Sequence, residues 1–452
     1  MALHRVTAAA DRPNEHAETW KRLRSRPIFG AAAALAARFV QMGTTLALVP
    51  ILLHHLGAEK FAVWLAASSL MGAFAFIDLG IGSYLVNHIA ISRGVSVAAR
   101  TDVSNAFVVL ALFSVASTAI VCLAFLSSET SYGIFHFSEV ETWEAFFVTC
   151  LMLCLMSPLS LIWRIRLSLG EASVQSLWDV FASLGTFSAI FVSLQFDTGL
   201  VAAVASFCVV PLLVHILNAV QLFRRYPDLK PAFSPASTRQ LVATLKSGAP
   251  FLLVNAISTI SFSFDSILAL HLLPAEQAAQ FGIAQRLVLA VQTLLTIAVT
   301  PFWPHFRVAT AEHKVRPALG ILVSSFSLAL VMSLSISAMI VFFGNDLTRL
   351  WTRAAMSLPT DLIVSLAIWL PAFAIGAVLT SMMSIPSLLP VQIKLAGMSG
   401  ACCFVAKIAL AKIWGGPGLF WGNSVGLFTF LIVPSFFVLA QALRNMNRSK
   451  RP

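Results

Sequence analysis

The chain has 452 residues, of which 58% are hydrophobic and only 11% charged, with a net charge of +11 and a mean hydropathy of +0.86. A typical soluble domain carries about 25% charged residues. A water-soluble enzyme, a nucleic-acid-binding domain and a disordered chain are therefore poor fits, and the composition indicates an all-α polytopic membrane protein.

Residues 1–27 are polar and basic, with no short apolar core followed by a cleavage site, so they read as a tail rather than a removable signal peptide. A crossing helix needs about 20 apolar residues. Twelve such runs follow, near 28–53, 62–90, 105–126, 145–163, 177–194, 200–222, 247–271, 281–304, 319–343, 362–386, 397–413 and 419–441. The basic segment 223–246 divides them into two six-helix lobes, 28–222 and 247–441, and residues 442–452 form a second basic tail. An echo at an offset of 217 supports duplication: Ala62 meets Ala279, Trp64 meets Phe281, Ala67 meets Ala284 and Leu70 meets Leu287. Two copies with an even number of spans share one orientation and are related by an axis along the membrane normal, as in transporters.

The charge is distributed by side. Connections after the odd-numbered spans hold three basic residues, Lys60, Arg349 and Arg353, whereas the two tails and the other connections hold 23. Cytoplasmic loops are rich in Lys and Arg, so both termini are expected in the cytoplasm. The basic pI reports topology, with no nucleic-acid partner implied.

No Gly-x-x-x-x-Gly-Lys-Ser/Thr loop, His-Glu-x-x-His pattern or long outer loop occurs, so no nucleotide hydrolysis, metal site, cofactor or enzymatic domain is expected. The six cysteines lie in apolar runs and read as small hydrophobes. Prolines at Pro50, Pro158, Pro211, Pro301, Pro304, Pro371, Pro386 and Pro434 allow kinks within the spans.

An ionisable group at bilayer depth costs roughly 2.5–3.5 kcal/mol on insertion scales and normally faces a bundle interior or a wet cavity. Arg38 and Asp78 both fall about 15–18 Å from the cytoplasmic surface and match in depth, and Arg38 shares a helix face with Gln41 and Thr45. Asn255, Ser258, Ser261 and Asp265 form a polar stripe in the seventh span, and Asp265 matches Arg286 in depth. Two pairs are expected, Arg38 with Asp78 and Arg286 with Asp265. Lys407, near the middle of the eleventh span, has no evident acidic partner and is a candidate for binding an anion. Lys412 is close enough to the surface to snorkel.

Leu56-Gly57-Ala58-Glu59-Lys60-Phe61 with Trp64, Asp78-Leu79-Gly80-Ile81-Gly82, Ser247-Gly248-Ala249-Pro250-Phe251 with Asp265, Arg286-Leu287, Leu350-Trp351 and Gly415-Gly416-Pro417-Gly418 together resemble the multidrug, oligosaccharidyl-lipid and polysaccharide exporter superfamily. The likeness is to its O-antigen and exopolysaccharide flippase branch and runs from about residue 28 to 440; Ala62 stands where many members have Gly. It implies two lobes around a central cavity that moves a polyprenyl-diphosphate-linked oligosaccharide across the bacterial inner membrane. Polysaccharide polymerase and glycosyltransferases would be its partners. Arg grips phosphate oxygens bidentately, so Arg38, Arg286 and Lys407 are expected to face the cargo, with Asp78 and Asp265 holding the arginines when it is absent. The alternatives are a cation-coupled multidrug exporter of the same superfamily and a membrane-embedded polysaccharide polymerase or ligase.

Overall fold

The computed structural model describes residues 27–71, 77–91, 97–126, 140–232, 238–299, 302–385 and 388–448. Among these there is no strand. In chain order the helices are α1 Pro27–Leu70, α2 Ile81–Ile91, α3 Val97–Leu126, α4 Val140–Met156, α5 Leu161–Ser168, α6 Ala172–Gln195, α7 Gly199–Arg225, α8 Thr238–Ser263, α9 Asp265–Leu272, α10 Ala275–Val299, α11 Phe302–Ala311, α12 Val315–Trp351, α13 Thr360–Met383, α14 Leu389–Trp414, α15 Gly416–Gly426 and α16 Val433–Arg448. A π-helical turn, Leu427–Ile432, joins α15 to α16.

Nine described helices are long and apolar enough to cross a membrane, or ten if the pair α4 and α5, bent by 55°, is one span. The count treats α1 as one helix although it breaks at Gly57, where φ 73° and ψ 173° require a residue without a side chain. The arrangement is consistent with twelve crossings. We call the membrane side with the Lys- and Arg-rich connections the basic side and the opposite one the far side.

The helices overrun the apolar runs. α12 has 37 residues against an expected run of 319–343, and α14 begins eight positions before 397. Helical hydrogen bonding continues past the hydrocarbon boundary because water and headgroups solvate the polar side chains there. For the same reason α8 starts at Thr238, inside the basic segment 223–246.

Two expected spans are broken. The run 62–90 is interrupted by a turn through Asp78-Leu79-Gly80, with φ 51° at Leu79 and 72° at Gly80. The run 247–271 breaks at Phe264, between α8 and α9. Backbone groups freed within a membrane must find partners inside the protein. At the first break Asp78 Oδ1 accepts from the Gly80 amide at 2.9 Å, and Ser157 Oγ donates to the Ile77 carbonyl at 3.1 Å.

The larger apolar cluster draws on both halves of the chain, with Phe61, Trp64 and Leu65 of α1 beside Phe281 and Ile283 of α10. On the far side α1 crosses α10, where Gly282 leaves room for Leu65. Leu65 and Gly282 are themselves separated by 217 positions. Contact between corresponding positions is what an axis along the membrane normal produces. Trp351 Nε1 adds a bond to the Leu46 carbonyl at 3.0 Å. On the basic side α8 packs on α2 and α3, with Gly248 so close that a Cβ there would lie 2.7 Å from the Leu79 carbonyl oxygen. The halves of the chain therefore touch on both sides of the membrane.

Candidate functional site

The break before α9 places Asp265 at a helix start inside the second half, where it is 4% exposed. Lys407 of α14 donates to its Oδ1 at 2.5 Å, and Asn423 Nδ2 of α15 donates to its Oδ2 at 3.1 Å. Lys407 is fully buried. All three residues lie roughly seven positions, about 10 Å, from the far ends of their helices, so equal depth lets them meet.

Gly418, Gly422 and Gly426 line one face of α15 at four-residue spacing, and a Cβ at any of them would collide with α14 at Leu410, Lys407 or Cys403. Such small residues let two membrane helices approach closely. Ser399 Oγ donates to the Gly426 carbonyl at 3.0 Å and fixes the register. The glycine face thus sets Lys407 and Asn423 where both reach one carboxylate.

Arg286 lies elsewhere, at the seam between the halves. It sits eleven positions into α10, and one guanidinium nitrogen donates to Ser68 Oγ on α1. Its carbon lies 5.3 Å from the Trp64 ring centroid. Ser68 passes its own proton to the Leu65 carbonyl at 2.9 Å, which leaves its oxygen as the acceptor. Arg286 has no carboxylate partner among the described residues and is only partly buried. Beside it, the indole N–H of Trp64, itself 1% exposed, has no acceptor among the described residues. Among these three side chains, donors outnumber acceptors.

The two expected ion pairs do not form. Asp78 pairs with Arg164 of α5 at 3.2 Å, and Asp265 pairs with Lys407. Arg38 is exposed on α1 and feels the carboxylate of Asp179 on the adjoining α6. Gln41, one turn further, is half-buried. Depth matched in every case, but which faces of two helices meet depends on packing, and the intended partners face different neighbours. The side chains of Asn255 and Ser258 lie outside the described residues.

A second network was not anticipated. Arg166 is fully buried on α5, donating to Glu171 Oε2 at 2.6 Å, Asn218 Oδ1 at 2.5 Å and Gln221 Oε1 at 2.8 Å. Asn218 Nδ2 donates to Gln175, which donates to Asp179. Glu171 also receives Tyr226 Oη at 2.8 Å and Arg225 at 3.2 Å. Burial, then the bond to Glu171 and its negative charge, push the Tyr226 hydroxyl up to about 12. Arg164 and Arg166 fall just beyond the apolar run 145–163, yet the helix resumes after the bend at Pro158 and carries both inside the bundle. Asn218, polar within the sixth apolar run, was the available signal.

The family model for polysaccharide biosynthesis proteins matches residues 30–307. The chain belongs to this family. No curated protein sequence matches it significantly. Among solved structures it is similar to the inward-facing conformation of a multidrug resistance MATE family transporter of the MOP superfamily, with TM-score 0.72 and 18% identity over 93% of this chain and 99% of that one. It is also similar to lipid II flippase MurJ in an inward closed conformation, with TM-score 0.74 and 13% identity over 93% and 90%. A MOP superfamily transporter from Pyrococcus furiosus aligns with TM-score 0.64 and 15% identity over 94% and 96%. This member of the polysaccharide biosynthesis family is thus a multi-pass membrane protein with the MOP-superfamily transporter fold.

Proposed function

We propose that the protein moves a polyprenyl-diphosphate-linked oligosaccharide, an O-antigen or exopolysaccharide repeat unit, from the cytoplasmic to the outer leaflet of the bacterial inner membrane. The basic side is then cytoplasmic, and the two six-helix halves, 28–222 and 247–441, rock against each other. The observation that carries the reading is Arg286. A guanidinium at the seam, with one hydroxyl acceptor and, among the described residues, neither a carboxylate partner nor an acceptor for the indole N–H beside it, suits the phosphate oxygens of such a cargo. Family membership supports the saccharide part of the assignment.

The contacts on the two sides define the moving parts. Loading from the cytoplasm requires α8 to part from the Asp78–Gly80 turn, and release requires α1 to part from α10. The Arg164 bond to Asp78 holds the inner turn rigid, and the Arg166 network ties α5, α6 and α7 into one body. Arg38, exposed and about 16 Å into α1, supplies a second charge on the cytoplasmic approach, with Gln41 one turn deeper. Asn255 and Ser258 remain candidates to line the route along α8. Lys407, Asp265 and Asp78 are assigned to holding structure.

A multidrug exporter of organic cations would need an accessible carboxylate at this depth, whereas Asp78 and Asp265 are buried and satisfied by cations, and Asp179, nearer the basic side, accepts from Gln175 and feels the charge of Arg38. In the native host, Arg286→Gln at normal protein abundance is expected to abolish surface polysaccharide and leave lipid-linked repeat units on the inner leaflet. Full-length surface polymer from that variant would refute the assignment.

A further inference from the structure

The far side of the second half carries two overlapping clefts, of about 300 and about 570 Å³, where the starts of α10, α13 and α15 meet the end of α14. Both volumes fall in the range of small-molecule sites, which is roughly 300–1,000 Å³. The lining combines the carboxylates of Glu276 and Asp361, the amides of Gln277 and Gln280, and the indoles of Trp414 and Trp421. Among the described residues, no Lys, Arg or His lines either cleft. Trp414 is 54% exposed, with its ring available to a ligand.

We infer that these clefts form a saccharide-binding site on the outer face, for a neutral or amino sugar and not for a phosphate. A sugar ring offers an apolar C–H face and a rim of hydroxyls. A flat, exposed indole meets the first, while carboxylates, which only accept, and amides, which do both, meet the second. Two carboxylates without a cation repel a diphosphate or an acidic sugar. Trp is common at membrane interfaces in any case, but an interfacial anchor has no need of a cleft lined by four hydrogen-bonding residues, even with Asp361 Oδ1 accepting from the Leu362 amide. The position at the far ends of the helices, about 16 Å above Arg286 along α10, suits the glycan end of a cargo whose phosphate end is held at the seam. That placement rests on the reading of the cargo given above, while binding of a free sugar does not involve Arg286 or transport.

The test is saturation-transfer NMR on the purified full-length protein in nanodiscs, with chitotriose, maltotriose and trigalacturonate as separate probes. The inference predicts transfer to at least one neutral trisaccharide and none to trigalacturonate. Trp414→Ala should weaken binding by about tenfold, in line with a lost aromatic contact of roughly 1.5 kcal/mol, and Asp361→Asn should also weaken it. Arg286→Gln should leave it unchanged. Absence of transfer to both neutral sugars would overturn the inference, as would binding unaffected by Trp414→Ala and Asp361→Asn. Calcium binding that depends on Asp361 without any sugar binding would also overturn it. A failure here with transport intact refutes the outer site alone, and loss of transport in Arg286→Gln with sugar binding intact keeps the two readings separate.

Discussion

Arg286 and Lys407 are two cations in the same half of the molecule, both inside the membrane, and their different surroundings are the ground for the opposite roles proposed for them. Lys407 is enclosed, faces a carboxylate at 2.5 Å and sits on a glycine-packed helix pair; its charge is neutralised within one rigid unit. Arg286 bridges the two halves through a neutral serine and an aromatic face, so no described carboxylate compensates its charge where the proposed cycle separates the halves. A charge within the bilayer is therefore not in itself a cargo site. What decides is whether a fixed counter-charge already occupies its hydrogen-bonding positions.

The largest effect that would break this comparison lies at the enclosed site. Lys407→Met leaves Asp265 buried with only Asn423 as partner, and loss of one member of a buried pair costs about 3–5 kcal/mol. The variant is expected to lose its monodisperse peak in detergent, and Asp265→Asn combined with Lys407→Met should restore most of the thermal stability. A stable single variant would show that the pair is not structural. Arg166→Met is expected to cost a similar amount, about 3 kcal/mol, since Glu171 is left facing only Arg225 and Tyr226.

Gly248→Val acts on the seam rather than on a pair. The added side chain meets the Leu79 carbonyl and the Ile81 amide, so the basic side should be held apart while folding is preserved. Greater labelling of a cysteine introduced at Ala249 by a membrane-impermeant maleimide, applied from the basic side in a cysteine-free background, would confirm it. Unchanged labelling would place the inner contact elsewhere.

Smaller effects sharpen the picture. Tyr226→Phe removes one hydrogen bond to a charged acceptor and should cost about 1.5 kcal/mol. The Tyr226 hydroxyl is raised above its ordinary value of 10 to about 12. Its stabilising contribution is therefore complete below pH 10 and lost as pH rises toward 12, a limb that melting curves of the Phe variant should lack. Lys60→Ala breaks the half-exposed pair with Glu141 at 2.7 Å and should change stability by less than about 1 kcal/mol.

Much of the fold was legible because the bilayer imposes a coarse rule: apolar runs of crossing length and the sidedness of Lys and Arg can be counted. Depth was legible too, since Asp265 and Lys407, or Ser68 and Arg286, meet at matching rises along their helices. What sequence did not supply was azimuth. Arg38 and Asp78 match in depth, yet Asp78 turns to Arg164 and Arg38 lies exposed on a face near α6, because partner choice depends on which helices are neighbours. Helix breaks were hidden as well. The Asp78-Leu79-Gly80 turn lies within an unbroken hydropathy run, and only the Asp-x-Gly pattern hints at it. The glycine face of α15 was readable at four-residue spacing, and its consequence for Lys407 required the position of α14.

The central claim is that Arg286, and not Lys407, meets the cargo. The direct measurement is flipping of a polyprenyl-diphosphate oligosaccharide in proteoliposomes at equal amounts of folded protein, comparing wild type, Arg286→Gln and the neutral double variant Asp265→Asn with Lys407→Met. Transport should fall at least about a hundredfold in Arg286→Gln, in keeping with the loss of roughly 3 kcal/mol from charge-assisted phosphate bonds, and the double variant should stay within a few-fold of wild type. Transport retained by Arg286→Gln, or lost only in the double variant, would contradict the account.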